Sequence, residues 1–231
     1  SEVQALRGVV DDGGIDVEAV ARYLVWGSIP APRTLHRNIR ALPAGAYLRV
    51  GRGGVVGPQA FDALEDHFGR YRMMSDVEAG LRIRDALRDS VRAHLEADVP
   101  VGAFLSGGVD SSALVGLLAE RDADVRTVNL AFDVAGLDES ALARRAAREY
   151  GTDHREIAIR ADDVRERMPD AIRALDQPSV DGVNTYFVSE AAVRTGLKVA
   201  VSGVGGDELF GGYRTFERVP RIRELHDRIA R

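Results

Sequence analysis

Cysteine is absent from this 231-residue chain. Disulfides, zinc thiolates and a cysteine nucleophile are therefore excluded within it. Lysine occurs once, as Lys198, so none is placed to complete a Gly-Lys-Ser/Thr phosphate loop. No apolar run approaches the length of a membrane span, and no secretory signal pattern is visible. A cytoplasmic location, away from any membrane, is the default expectation. Charge of one sign is not in large excess: 31 Lys and Arg stand against 36 Asp and Glu, a formal net charge of −5. The basic residues are nearly all arginine and are spread along the chain, so no nucleic-acid surface is indicated. What remains is an ordinary globular composition, 45% hydrophobic and 29% charged, able to fill a core. At about 150 residues per domain, the length suits one full domain and part of a second.

The most informative stretch is Phe104-Leu105-Ser106-Gly107-Gly108-Val109-Asp110-Ser111-Ser112. Residues 101–105 read as a buried strand, 106–108 as a tight turn, and 112–121 as an apolar-periodic helix. Glycines allow the turn and a close approach to a ligand. Backbone N–H groups then converge at a positive helix N-terminus, which is an anion site. Hydroxyls of Ser106, Ser111 and Ser112 add donors, and Asp110 can hold a divalent cation beside a phosphate. The plain alternative makes Asp110 a helix N-cap after an ordinary strand-to-helix turn.

A second stretch, 199–213, repeats the logic. An apolar run ends in Ser202-Gly203, and the carboxylate of Asp207 follows closely. In a parallel sheet both loops lie at the carboxyl ends of strands, where ligands bind. Asp110 and Asp207 can then face one cation from opposite sides. Helix capping is the plain alternative for Asp207.

The first stretch resembles the S-G-G-x-D-S pyrophosphate loop of the N-type ATP pyrophosphatases. The two together resemble the synthetase domain of the asparagine synthetase family, whose S-G-x-G-x-D-E-x-F-G-G-Y pattern is matched from Ser202 to Tyr213. Residues 30–47, from Pro30 to Tyr47, resemble the end of that family's glutaminase domain. The resemblance implies a doubly wound parallel α/β sheet with a small, incomplete α+β segment before it. It divides the chain into a glutaminase remnant over 1–60, a linker over 61–75 and an ATP-pyrophosphatase domain over 76–231. It further implies a fragment: a glutaminase part with its catalytic cysteine expected upstream, and a helical region expected after Arg231.

The activity implied is ATP-dependent amide formation, with ATP and magnesium as cofactors. A carboxylate, aspartate for preference, is adenylated, pyrophosphate leaves, and ammonia from glutamine displaces AMP. Matching residue by residue, Leu105, Ser106, Gly107, Gly108, Asp110, Ser111, Ser112, Phe132, Ser202 and Gly203 would bind nucleotide. Asp110 and Asp207 would hold the metal and act in catalysis. Leu130 lies near the adenine slot; for Leu105, Leu130 and Phe132, sheet core is an equal alternative. The loop 176–186 approaches the acceptor carboxylate in the family, which makes Asp181 and Asn184 candidates. Val204 departs from the pattern, because many asparagine synthetases carry an acidic residue there. The acceptor therefore stays open between aspartate and another carboxylate. A ring-closing synthetase, another ATP pyrophosphatase and a non-catalytic nucleotide-binding paralogue remain alternatives, and a homodimer remains open.

Periodicity adds the remaining elements. Ser1–Leu6 reads as part of a helix, Asp16 caps a helix over 17–26, and 44–50 reads as a strand. Residues 51–57 form a Gly-rich hairpin or linker, and 58–74 read as irregular. Ser75 and Glu78 match a capping box before a helix reaching about residue 97, whose stripe of Val77, Leu81, Leu87, Val91 and Leu95 covers the sheet. Strands over 125–132, 154–159 and 198–201 alternate with helices over 139–150, 164–175 and 183–195, an arrangement that predicts a parallel sheet. A charged helix closes the chain over 218–231, with Val219, Ile222, Leu225 and Ile229 at helical spacing.

Overall fold

The computed structural model describes residues 2–67, 73–121, 124–134 and 138–229, leaving aside the side chains of 224, 225 and 227–229. Part of the expected linker, 68–72, and the side chains of Leu225 and Ile229 therefore lie outside the described residues. By contact the chain forms two compact units: 1–78 with 165–187, and 79–164 with 188–231.

In the first unit, α1 (Val17–Trp26) begins at Asp16, whose side chain accepts from Glu18 N–H at 3.0 Å. The strands β1 (Ala46–Gly51) and β2 (Gly54–Ala60) pair as an antiparallel hairpin. The hairpin corrects the reading of 58–74 as irregular throughout, because β2 runs on past Pro58 to Ala60. Within the segment read as a helix, the described residues 2–6 are not helical either. Their bonds are short turns, Leu6 N–H to Val3 O and Arg7 N–H to Gln4 O, and Gly8 at φ 84° turns the chain away. So short a segment has too few repeating bonds to hold a helix by itself. Instead the N–H groups of Val3 and Gln4 donate to the Asp176 carboxylate, and Leu35 N–H donates to Gln177 Oε1 at 2.8 Å.

The second unit is built on a four-stranded parallel sheet. Its strands are β3 (Val101–Phe104), β4 (Arg126–Phe132), β5 (Asp153–Ile159) and β6 (Val199–Val201), in the order β5-β4-β3-β6. Helix α3 (Val109–Ala119) connects β3 to β4, and α4 (Ser140–Tyr150) connects β4 to β5. Between β5 and β6 the chain passes through helices α5 (Ala161–Ala174) and α6 (Gly182–Arg194), whose residues 165–174 and 182–187 belong to the first unit. The chain thus adds β4 and β5 on one side of β3, then returns to add β6 on the other. That reversal beside β3 is a topological switch point, the usual ligand position in an open parallel sheet. The fold is the α/β doubly wound parallel sheet expected from the alternation of elements.

Val91, Ala103, Leu105, Val115, Leu118, Val125, Ala143 and Ala147 form the core of this unit. Each fully buried leucine or valine contributes about 1.5–3 kcal/mol over an exposed one. Helix α2 (Asp76–His94) starts as expected, with Glu78 N–H donating to Ser75 Oγ at 3.2 Å. Its stripe covers the sheet only in part: Val91 is buried, whereas Val77 and Leu81 are exposed. A short helix, α7 (Gly206–Phe210), and the long α8 (Arg214–Ile229) complete the unit. Val219 and Ile222 of α8 are exposed.

Candidate active site at the sheet switch point

The loop after β3 leaves the sheet at Leu105, which donates its N–H to Val128 O at 2.9 Å and is 1% exposed. Ser106 and Ser111 bind one another through their hydroxyls at 2.8 Å. Ser111 Oγ also receives Ser106 N–H at 3.2 Å, and Ser106 Oγ receives Gly108 N–H at 3.1 Å. The two hydroxyls thus brace the turn from inside. Helix α3 begins three residues earlier than expected, because Gly108 is its extended N-cap (φ −74°, ψ 156°) and Ser112 N–H returns to Gly108 O. Asp110 therefore stands in the first helical turn rather than capping it. A carboxylate there lies at the positive end of the helix dipole.

The loop after β6 lies beside the first, because β3 and β6 are hydrogen-bonded neighbours with Ala103 opposite Val201. Ser202 Oγ receives Val204 N–H, and Gly203 O receives Gly206 N–H. A β-carbon at position 203 would stand 3.2 Å from Ser111 N. At position 206 it would stand 2.3 Å from Asp110 Oδ2. Glycine at these positions is what lets the two motifs close on one another. Periodicity did not reveal α7, a five-residue helix bounded by Gly205 at φ 99° and Gly211 at φ 71°. It carries Asp207, whose Oδ1 is turned towards Gly212; a β-carbon there would stand 1.8 Å away. The Gly-Gly pairs on both sides of Asp207-Glu208 were the available signal for such a turn of helix. Tyr213 donates to Glu208 Oε1 at 2.9 Å and stacks on Phe216.

A cavity of about 290 Å³ opens beside these loops. It is lined by Asp110, Ser202, Gly203 and Gly206, and by apolar side chains that include Leu114 and Phe210. Leu105, Leu130 and Phe132 do not line it. Leu105 belongs to the sheet core, Leu130 is buried in β4, and Phe132 is half-buried at its end. Val204 is 89% exposed. Asp181 and Asn184 are exposed in the first unit, where Ser179 Oγ receives Asp181 N–H.

Among the described residues, no group of three or more His, Asp or Glu could hold a metal on its own. Magnesium commonly takes one or two protein carboxylates and fills its remaining positions with substrate phosphates and water. Asp110 lines the cavity, whereas Asp207 does not, its Oδ1 being turned towards Gly212. In the first loop, Gly107 N–H donates to Glu139 Oε2 at 3.1 Å. Next to Glu139, hydrogen bonds from the hydroxyl and then the N–H of Ser140 hold the Asp138 carboxyl below its ordinary range.

Two glycine-rich loops side by side at the carboxyl ends of adjacent parallel strands mark the switch point of an open α/β sheet as the candidate site. The family model for asparagine synthase matches residues 82–230, and the chain belongs to that family. It is 31% identical to asparagine synthetase [glutamine-hydrolyzing] 1 of Bacillus subtilis, over 95% of this chain and 36% of that one. It is 30% identical to asparagine synthetase B [glutamine-hydrolyzing] of Escherichia coli, over 84% of this chain and 37% of that one. The chain thus spans little more than a third of the length of these relatives. Among solved structures, an NH3-dependent NAD synthetase from Campylobacter jejuni superposes with a TM-score of 0.40 at 15% identity, covering 58% of this chain and 60% of that one. No helix among the described residues is long and apolar enough to cross a membrane.

Proposed function

We propose that the chain is the ATP-using part of an amide-forming ligase of asparagine synthetase type. The observation that carries this reading is the contact of the two loops, with Asp110 of the first lying against Gly206 of the second. On this reading, ATP lies with its phosphates over Ser106–Ser112 and its base towards the ends of β3 and β4. A substrate carboxylate oxygen attacks the α-phosphorus, the bond to the β-phosphate oxygen breaks, and pyrophosphate leaves. Loop N–H groups and hydroxyls stabilise the charge growing on the leaving phosphates. Magnesium, held by Asp110 and Asp207 together with those phosphates, would supply further charge neutralisation. No protein nucleophile is needed. Aligning the two reactants supplies several kcal/mol of the barrier reduction. Ammonia, derived in the glutamine-hydrolysing relatives from glutamine, then displaces AMP from the acyl-adenylate.

Aspartate is the first acceptor to test. Val204 supports a second reading: it presents an exposed apolar side chain where many relatives carry an acid that could take a proton from an incoming amine. A substrate that closes a ring with its own amine would suit that change. The test is pyrophosphate release from ATP with a panel of carboxylates, each with and without ammonia. Release that depends on aspartate and ammonia together supports the first reading. Release that depends on an amino-carboxylate without ammonia supports the second, and no carboxylate-dependent release overturns both.

A further inference from the structure

The Ser106-Gly107-Gly108 turn already carries an anion. Gly107 N–H donates to the Glu139 carboxylate at 3.1 Å, while its neighbours Ser106 N–H and Gly108 N–H donate to serine hydroxyls. The hydroxyls belong to the loop itself and brace it. Glu139 comes from elsewhere, at the start of α4, and it brings a full negative charge. A hydrogen bond to a charged acceptor is roughly twice as strong as a neutral one.

Glu139 is held in place. Its carbonyl accepts the N–H groups of Leu142 and Ala143 at 3.0 Å, which fixes it as the capping residue of α4. Ser140, 1% exposed, donates to Asp138 and accepts from Asn129 Nδ2 of β4 at 3.1 Å. The start of α4 is therefore anchored to the sheet through a buried polar chain. The turn is also pressed against α4. A β-carbon at position 107 would stand 2.8 Å from Leu142 Cβ and 3.2 Å from Glu139 Cβ.

We propose that Glu139 is a built-in competitor for the pyrophosphate group. Its carboxylate occupies the Gly107 N–H while no nucleotide is bound, and a phosphate oxygen takes that N–H by displacing it. This deepens the reading of the loop as an ATP site and rests on it. In the reaction, Glu139 keeps the turn folded and satisfied before ATP arrives, and its return to Gly107 opposes retention of pyrophosphate afterwards. It sets affinity without touching the reacting atoms.

The experiment is calorimetric titration of the chain with magnesium pyrophosphate and separately with adenosine, comparing wild type, Glu139→Gln and Glu139→Ala. Removing the competing charge should tighten pyrophosphate binding about tenfold or more in both variants, the scale of a lost charge-assisted hydrogen bond. Adenosine, which carries no phosphate, should bind all three proteins alike. Unchanged or weaker pyrophosphate binding in both variants overturns the proposal and leaves Glu139 as a brace for the loop. A parallel change in adenosine binding also overturns it, because the whole site would then have shifted. If the wild type binds adenosine but neither it nor the variants bind pyrophosphate, the phosphate-loop reading itself fails and the proposal fails with it.

Discussion

The carboxylate of Asp110 lies against the backbone of Gly206, so closely that a β-carbon at 206 would stand 2.3 Å from Oδ2 and 2.5 Å from Cγ. This contact joins two motifs about a hundred residues apart. Gly206 needs no unusual backbone angle, being the first residue of α7. Gly206→Ala should therefore fold, yet push the Asp110 side chain aside. We expect magnesium-dependent ATP binding to weaken roughly tenfold or more, with a melting temperature close to wild type, since catalytic groups tolerate little misplacement. Gly205→Ala should behave in the opposite way. Its φ of 99° strains any other residue although the space around it is open. The cost there is about 1–2 kcal/mol of stability. Calorimetry and thermal denaturation separate the two, and equal ATP affinity in Gly206→Ala and wild type would refute a role for the contact.

Asp110 and Asp207 are proposed to share one ion. Asp110→Ala and Asp207→Ala should each lower pyrophosphate release by roughly a hundredfold or more, corresponding to several kcal/mol of lost charge stabilisation. The double variant should be no worse than the more damaged single one, because residues acting on one group are not additive. Losses that multiply cleanly would assign the two carboxylates to separate tasks.

Much of this arrangement is legible in the residues. The strand–turn–helix signal around Phe104–Ser112 is local, and its apolar run, glycines and serines fall where the fold uses them. The alternation of apolar runs and helical stripes likewise announces the parallel sheet. What is not legible has identifiable causes. Gly108 is an N-cap without a side chain to mark it, so the start of α3 reads three residues late and Asp110 looks like the cap. Five residues are too few for a period, so α7 is visible only through the glycines at its ends. The first six residues have helix-forming composition, but the N–H groups of Val3 and Gln4 find a partner 173 and 172 residues away in Asp176, a choice that only the folded chain makes. The role of Glu139 is not legible, because nothing in its local sequence shows that Gly107 will fold onto it.

His154 gives the sheet a pH dependence. Its side chain is 10% exposed between β4 and β5, with Nδ1 2.9 Å from the hydroxyl of the fully buried Thr127. Burial keeps its pKa below the ordinary histidine value of about 6.5, with the Glu156 carboxylate opposing only in part. The folded chain thus resists a proton that the unfolded chain accepts. This contribution to stability is complete above about pH 6.5 and declines as pH falls towards the lower, folded-state value. Denaturation midpoints measured from pH 7.5 to 5 should fall in wild type and fall less steeply in His154→Gln. Identical slopes for the two proteins would remove His154 as the cause.

The last prediction concerns the N-terminal segment. The sequence suggests that residues 1–60, read as a remnant of another domain, exchange their amide hydrogens faster than the sheet around Leu105 and Val201. In the structure this segment is tied to 165–187. Val3 and Gln4 each donate to Asp176 at 2.8 Å, Leu35 donates to Gln177, and Val180 N–H donates to Gly27 O. Few of its apolar side chains are buried, however: Leu24, Val25 and Trp26 of α1 are all exposed. Hydrogen bonds near the surface protect against local opening much less than a packed core does. We therefore expect exchange to be ranked: slowest in β3 and β4, intermediate at Gln4 and Leu35, and fastest at the tip of the β1–β2 hairpin. Asp176→Ala should raise exchange at Val3 and Gln4 selectively, by the loss of roughly 1.5–3 kcal/mol that a charged acceptor contributes at most to such bonds. Exchange in the sheet of the second unit should be untouched. Exchange at Gln4 as slow as at Leu105 in wild type would show that the first unit is as stable as the second, and that residues 1–60 are an integral part of this fold.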